Sequence, residues 1–343
     1  MISTQAIKNC ETQNRQMSFD DMVTRRTSRA FNVASLFAGI GGIDIAFQNA
    51  GFQIEWANEF DKRACETYAK NFKQHIICDD IKNLKTEKFV KIDVLTAGFP
   101  CQAFSIAGLQ KGFEDERGSI FYEVMRFVRD LQPRVLFLEN VKNLKSHNKG
   151  ETFRHILNEI EKAGYKVAYQ IMNTCEYSQI PQNRERLYIV CFKNDKDHDA
   201  FEFPKKENRR GSVCDLLESE VASTYYYNRT KYYPLLKEEI TDKNTVYQWR
   251  RQYVRKNKNN VCPTLTANMG TGGHNVPLVV DHKDIRKLTP RECARLQGFS
   301  DSFILPSYLP NSALYKQIGN SVSIPVVEKI AKNILAALKT SYV

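Results

Sequence analysis

Phe31-Asn32-Val33-Ala34-Ser35-Leu36-Phe37 runs straight into Ala38-Gly39-Ile40-Gly41-Gly42, and the reading of this stretch decides the fold. A short apolar run of this kind is a buried strand. Three glycines at its end mark a turn that uses positive φ and lets a ligand approach the backbone closely. A helical pattern follows to about Ala50, and a second strand-like run spans 52–57, which together make a βαβ opening. Glycine-rich turns also serve packing alone, so the turn does not by itself establish a ligand.

Working outward, the alternation continues with a helix at 61–72, strands at 75–78 and 92–97, a helix at 119–131 and a strand at 135–138. A helix at 152–163 and strands at 166–172 and 187–192 complete the series. Strands alternating with helices predict an α/β protein with a doubly wound sheet covered on both faces. After Phe192 the rhythm breaks, and residues 193–285 read as a second, irregular or β-rich lobe. Ser323 caps a last helix with Pro325 in its first turn, and Val327, Ile330, Ala331, Ile334 and Leu338 recur at helical spacing, so that helix returns to the first lobe. Residues 1–30 are polar and read as a tail.

Composition bounds the function. With 42% hydrophobic and 26% charged residues over 343 positions, collagen, coiled coil and wholesale disorder are excluded. Fifty Lys and Arg against 39 Asp and Glu leave +11, which favours a polyanionic partner: nucleic acid first, an anionic membrane second. Nine cysteines without a Cys-x-x-Cys pair fit neither a disulfide framework nor a zinc site, so the expectation is a reducing compartment and no metal. No apolar run approaches the roughly 18 residues of a membrane span, and the first thirty residues lack the apolar core of a secretory signal. A cytoplasmic protein with no membrane partner is expected.

Three carboxylates and one thiol stand at strand ends. Glu59 falls 20 positions after Gly39 at the end of the second strand, where a carboxylate can accept both hydroxyls of a ribose. Asp80, just past the third strand, is placed to accept from an adenine amino group, although a solvated loop acid is the plainer alternative. Together with an incomplete phosphate fingerprint these residues suggest a nucleoside-containing cofactor rather than a dinucleotide. Cys101 follows Pro100 at the carboxyl end of the fourth strand, and the polar, Gly-rich segment 108–118 after it reads as a lid. The fifth strand ends in Leu138-Glu139-Asn140-Val141. If strands four and five are neighbours, about 4.8 Å apart, Cys101 and Glu139 project into one cleft, which suggests covalent catalysis with proton donation.

At this point five segments, in order, resemble the motif set of bacterial DNA cytosine-5 methyltransferases: Gly98-Phe99-Pro100-Cys101-Gln102, Glu139-Asn140-Val141, Gln182-Asn183-Arg184-Glu185-Arg186, Arg291-Glu292-Cys293-Ala294-Arg295 and Gly319-Asn320-Ser321-Val322. The resemblance covers 31–192 and 286–335. It implies a Rossmann-like S-adenosylmethionine-dependent methyltransferase sheet with a smaller target-recognition lobe. The implied division is a catalytic, cofactor-binding domain at 31–200, completed by 310–343, and a target-recognition domain at 201–309.

The resemblance also implies roles. S-adenosylmethionine, leaving as S-adenosylhomocysteine, would lie against Phe37, Ala38, Gly39, Gly41 and Gly42, with Glu59 on the ribose, Phe60 against the adenine and Asp80 on its amino group. Ile81, Pro100, Asn320 and Ser321 would complete the pocket. Cys101 would add to carbon 6 of cytosine while Glu139 holds and protonates ring nitrogen 3. Arg186 would neutralise charge beside Glu139, with Arg184 in support. The base must first leave the duplex. Ala107 stands where a well-studied relative has a polar residue that helps fill the vacated stack. Double-stranded DNA is the expected partner, with the protein acting as a monomer on it and a cognate restriction endonuclease acting independently. A transfer-RNA cytosine-5 methyltransferase of the same fold and a catalytically inactive DNA-binding relative are the alternatives.

The lobe should read the DNA. Residues 243–260 carry Lys243, Arg250, Arg251, Arg255, Lys256 and Lys258 with no acid, interleaved with Tyr247, Trp249 and Tyr253, a pattern suited to phosphate contact. Thr264-Leu265 matches a pair that recurs in the family's recognition lobes, and the Gly-rich stretch containing Gly272 and Gly273 could bring backbone against a groove.

Overall fold

A computed structural model describes residues 30–73, 76–99, 120–207, 211–250, 253–270 and 276–340. Seven strands make the main sheet: β1 (Asn32–Leu36), β2 (Gln53–Glu59), β3 (Ile76–Cys78), β4 (Val94–Ala97), β5 (Val135–Val141), β6 (Lys166–Asn173) and β7 (Glu185–Phe192). Their order is β3-β2-β1-β4-β5-β7-β6. The first five run parallel, whereas β7 is antiparallel to both β5 and β6. The chain leaves β1 in one direction to build β2 and β3 and then returns to lay β4 on the other side of β1. The carboxyl ends of β1 and β4 therefore flank the switch point, the place where open α/β sheets bind ligands.

Residue parity explains why the sheet is covered twice. In β5, Val135 and Phe137 face one core while Leu136 and Leu138 face the other. The first face is closed by α1 (Gly42–Ala50) and by α7 (Ile324–Thr340), whose Val327, Ile330, Ala331, Ile334 and Leu338 form the expected apolar stripe. The next helix in the chain, α2 (Lys62–Asn71), is capped by Asp61 and docks against a later helix. The second face is closed by α3 (Ile120–Leu131) and α4 (Glu151–Lys162), through Phe121, Val124, Met125, Val128, Phe153, Ile156 and Ile160. Truncating a fully buried phenylalanine such as Phe47 or Phe137 would cost about 3–5 kcal/mol.

The lobe after β7 is built on a four-stranded sheet: β8 (Tyr247–Trp249), β9 (Val254–Lys256), β10 (Leu278–Val280) and β11 (Ile285–Lys287), in the order β9-β8-β10-β11. It has a small core of its own, made of Leu236, Ile240, Tyr247, Trp249, Leu278 and Ile285. Two further helices, α5 (Pro290–Gln297) and α6 (Asn311–Asn320), lead back to the main sheet, and α5 places Cys293, Ala294 and Leu296 in the larger core. Among the described residues no helix is long and apolar enough to cross a membrane.

Candidate active site

The turn after β1 is held by one carboxylate. Glu59 Oε2 accepts the Gly39 N–H at 2.9 Å, and its Oε1 accepts the N–H groups of Phe60 and Asp61, both at 2.9 Å. Two ends of adjacent strands are thus tied at the switch point. Phe37, Gly39 and Gly41 all take positive φ (56°, 57° and 87°), which for Phe37 is a strained conformation set by the turn. Phe60 lies 69% exposed beside this carboxylate, free to present its ring to a ligand. Asn58, fully buried, donates to the carbonyls of Ile77 and Asp79 at 2.9 Å each, and so fixes the end of β3 that carries Asp80. Asp80 is exposed and caps a short turn through the Lys82 N–H, with Ile81 buried behind it.

Beneath the turn lies a polar cluster that composition and periodicity did not single out. Asp44, in the first turn of α1, accepts from Ser35 Oγ, which also meets Thr96 Oγ1 at 2.7 Å. All three are fully or almost fully buried, and burial pushes the Asp44 carboxyl up to about 6. The only sequence signal was an acid within an otherwise apolar helical stripe.

β4 and β5 are hydrogen-bonded neighbours, with Ala97 opposite Leu138, as the cleft argument required. Past β4 the chain rises against Glu139: a Cβ on Gly98 would lie 3.7 Å from Glu139 Oε2. Asn140 Nδ2 donates to the Phe99 carbonyl at 2.8 Å, while its Oδ1 accepts the Val141 N–H. Asn140 thereby tethers the backbone two residues before Cys101. Pro100, Cys101, Ala107 and the rest of 100–119 lie outside the described residues.

Both arginines expected beside Glu139 are placed, and they differ. Arg186 Nε is 3.1 Å from Glu139 Oε1, with both side chains nearly buried. Arg184 makes no such pair. It is buried, its Nη1 donates to the Leu265 carbonyl at 2.7 Å, and its Nη2 donates to the carbonyls of Gly319, at 3.3 Å, and Ser321. Burial, with the charge of Arg186 beside it, pushes this guanidinium down to about 9. Arg184 therefore supports the site through backbone rather than through Glu139. Asn320 is exposed at the end of α6, and Ser321 Oγ is packed so closely on Gly42 that a Cβ there would lie 2.4 Å from it.

In the second lobe the register sorts the basic run. Tyr247 and Trp249 share the inward face of β8 and are buried, so they build the lobe's core, and of the three interleaved aromatics only Tyr253 is exposed. Gln248 lies opposite Arg255 on the other face. With Arg250, Asn183, Thr264 and Asn268 these two line a half-open cleft of about 560 Å³. Lys256, one position along, falls on the opposite side and pairs with Asp242 at 2.9 Å, an acid just outside the acid-free run. Leu265 is fully buried, and its contribution is the main-chain grip of Arg184. Arg251, Gly272 and Gly273 lie outside the described residues.

The description "C-5 cytosine-specific DNA methylase" matches residues 31–336. The chain is 51% identical over 312 residues to Type II methyltransferase M.Bsp6I of Bacillus sp. (strain RFL6), covering 89% of this chain and 99% of the relative. It is 40% identical over 319 residues to Type II methyltransferase M.HhaI of Haemophilus parahaemolyticus, covering 88% and 94%. Among solved structures, the Entamoeba histolytica methyltransferase EhMeth superposes with a TM-score of 0.71 at 18% identity, covering 90% of this chain and 99% of that one, a likeness of fold. With a carboxylate-gripped glycine turn at the switch point and an acid–arginine pair at the neighbouring strand end, the chain belongs to the C-5 cytosine-specific DNA methylase family.

Proposed function

We propose that this protein methylates carbon 5 of a flipped-out cytosine at a short specific sequence in duplex DNA, as the modification half of a restriction system whose nuclease acts independently. The observation that carries the reading is the Glu139–Arg186 pair beside Gly98, which follows β4 and stands three residues before Cys101 in sequence. Both curated relatives described above are Type II methyltransferases.

The residues at the switch point fit S-adenosylmethionine. A Cβ on Gly39 would meet nothing within 4 Å, so space opens above the turn next to the Glu59 carboxylate, and the exposed Phe60 ring flanks it. Ser321 Oγ, against Gly42, is a buried hydroxyl with no hydrogen-bond partner among the described residues. Phe37, Ala38 and the glycines would hold the methionine part, Glu59 the ribose, Phe60 and Ile81 the adenine ring and Asp80 its amino group, with Pro100, Asn320 and Ser321 at the rim. When bound, the cofactor supplies an electrophilic methyl group on sulfur.

The chain's own groups make cytosine able to accept it. Carbon 5 of cytosine is a poor nucleophile. The Cys101 thiolate forms a bond to carbon 6 while Glu139 gives a proton to ring nitrogen 3, which leaves an enamine nucleophilic at carbon 5. After methylation a water molecule takes the carbon 5 proton, the carbon 6–sulfur bond breaks with its electron pair leaving on the thiolate, and ring nitrogen 3 returns its proton to Glu139. Arg186 balances the Glu139 carboxylate through the cycle. A thiol cannot reach this ring inside a duplex, so the base leaves the stack at a cost of a few kcal/mol. The cleft lined by Gln248, Arg250 and Arg255 takes the DNA, because those side chains carry the donors that recognise base edges and phosphates.

Tritiated-methyl transfer to duplex DNA and to transfer RNA, followed by bisulfite sequencing of the duplex, tests the proposal. Methylation of DNA with protected cytosines at one recurring sequence is expected. Transfer confined to RNA would overturn it.

A further inference from the structure

Arg184 and Gln182 grip the backbone of one residue, Leu265, from both sides. Gln182 Oε1 accepts the Leu265 N–H at 3.2 Å, and Arg184 Nη1 donates to the Leu265 carbonyl at 2.7 Å. That residue sits between Thr264 and Thr266, two residues that line the DNA-facing cleft. On its other side the same guanidinium donates to Gly319 and Ser321. Gln297 completes the junction: its Nε2 donates to the Ile318 carbonyl at 2.9 Å and to that of Ser321 at 3.3 Å, and its Oε1 accepts from Gln182 Nε2 at 3.2 Å. Gln182, Arg184 and Gln297 are all buried.

Two close approaches leave this junction little slack. A Cβ on Gly319 would lie 2.2 Å from the Thr266 carbonyl carbon, so the α6 turn is seated directly on the recognition segment. At the other end Ser321 is seated on Gly42, where α1 leaves the cofactor turn. Segments 264–266, 318–321 and 39–42, distant in sequence, are thus in continuous contact, the first two through buried hydrogen bonds and the last two through close packing of Ser321 on Gly42.

We propose that Arg184 is a positioning residue that couples the DNA cleft to the cofactor turn. DNA held against Thr264 and Thr266 fixes the Leu265 backbone, and through the Arg184 fork the Gly319–Ser321 turn is set against Gly42. Arginine suits the task because its planar fork can donate to two segments at once, where a lysine ammonium offers one compact point. The consequence is reciprocal: duplex DNA tightens cofactor binding, and the cofactor tightens DNA binding by the same factor. This inference rests on the reading of the chain as a DNA methyltransferase.

The test uses the full chain, S-adenosylhomocysteine, and a duplex carrying the sequence found by bisulfite mapping. Calorimetry gives the S-adenosylhomocysteine Kd with and without saturating duplex. The wild type should bind at least about fivefold more tightly with the duplex, the lower end of common coupling factors. In Arg184→Lys that ratio should fall toward one, whereas a merely structural weakening would lower both affinities and leave the ratio unchanged. Gln297→Leu keeps the Arg184 bonds and removes three others, and should lower the ratio in part, so the inference stays testable if the arginine variant does not fold. A wild-type ratio of one in an enzyme that methylates DNA would overturn the coupling and leave the activity standing. An unchanged ratio in folded Arg184→Lys would overturn the role of Arg184. Absence of methyl transfer in the wild type would instead overturn the reading beneath it.

Discussion

Arg186 Nε stands 3.1 Å from Glu139 Oε1 across the antiparallel pair β5 and β7, in which Val141 lies opposite Arg186 and Tyr188 opposite Glu139. The contact is a diagonal one, which is within reach of a long side chain on a shared face. The reversed direction of β7 creates it, since a parallel strand in that place would enter the sheet from the other end.

Removing the cation leaves a nearly buried carboxylate without its partner at the point where the proposed mechanism protonates the cytosine ring. Arg186→Leu should lower kcat by about 10²- to 10³-fold, comparable to losing one preorganised electrostatic contact, with the S-adenosylhomocysteine Kd little changed. Methyl-transfer kinetics together with calorimetry check the split, and a tenfold weaker cofactor with normal kcat would contradict it.

Asn140 acts one residue further along. Its side chain holds the Phe99 carbonyl at 2.8 Å, so Asn140→Ala removes a buried hydrogen bond that holds the backbone leading to Cys101. A stability loss of about 1–3 kcal/mol is expected. Loss of positioning should also lower kcat by about tenfold or more. Urea unfolding and single-turnover rates measure the two effects separately.

Glu59 uses both oxygens on three backbone N–H groups. A glutamine has one acceptor oxygen, so Glu59→Gln must release either the Gly39 turn or the Phe60–Asp61 pair. S-adenosylhomocysteine binding should weaken by about 10- to 100-fold, the range for hydrogen bonds to a charged group, while duplex affinity measured without cofactor stays near wild type.

Asp44 gives the fold a pH dependence of a definite sign. Its carboxyl is raised from 3.8 to about 6 by burial, so the native state holds a proton that the unfolded chain has already released. Stability contributed by that proton is present below about pH 4, declines as pH rises toward 6 and is gone above it. The full difference corresponds to about 3 kcal/mol. Asp44→Asn should therefore match the wild type near pH 4 and exceed it increasingly up to pH 6–7 in urea midpoints. A variant that loses stability relative to wild type over that interval would contradict the assignment.

How far all this could be read in advance follows from the physics of each feature. The glycine turn, the strand and helix series and Glu59 were legible because period and spacing are local properties, and the adjacency of β4 and β5 followed from the topology rule for such sheets. The reversal of β7 was not, because an apolar strand shows its burial and not its direction. Tyr247 and Trp249 looked like part of a DNA-facing run, and only the pairing of Gln248 with Arg255 shows which face of the hairpin is outward. Arg184 and Arg186 sit two residues apart in one motif, yet the partners of Arg184 come from 81 and 135 positions away, which no local pattern encodes.

The most direct test of the central claim is covalent trapping. Incubation of the protein with S-adenosylmethionine and a duplex carrying 5-fluorocytosine at the mapped site should yield a stable protein–DNA adduct, with mass spectrometry placing the nucleotide on the peptide containing Cys101. Cys101→Ser should give neither adduct nor bisulfite-protected cytosine. Methylated cytosine in the Cys101→Ser protein, or an adduct on another residue, would contradict the account.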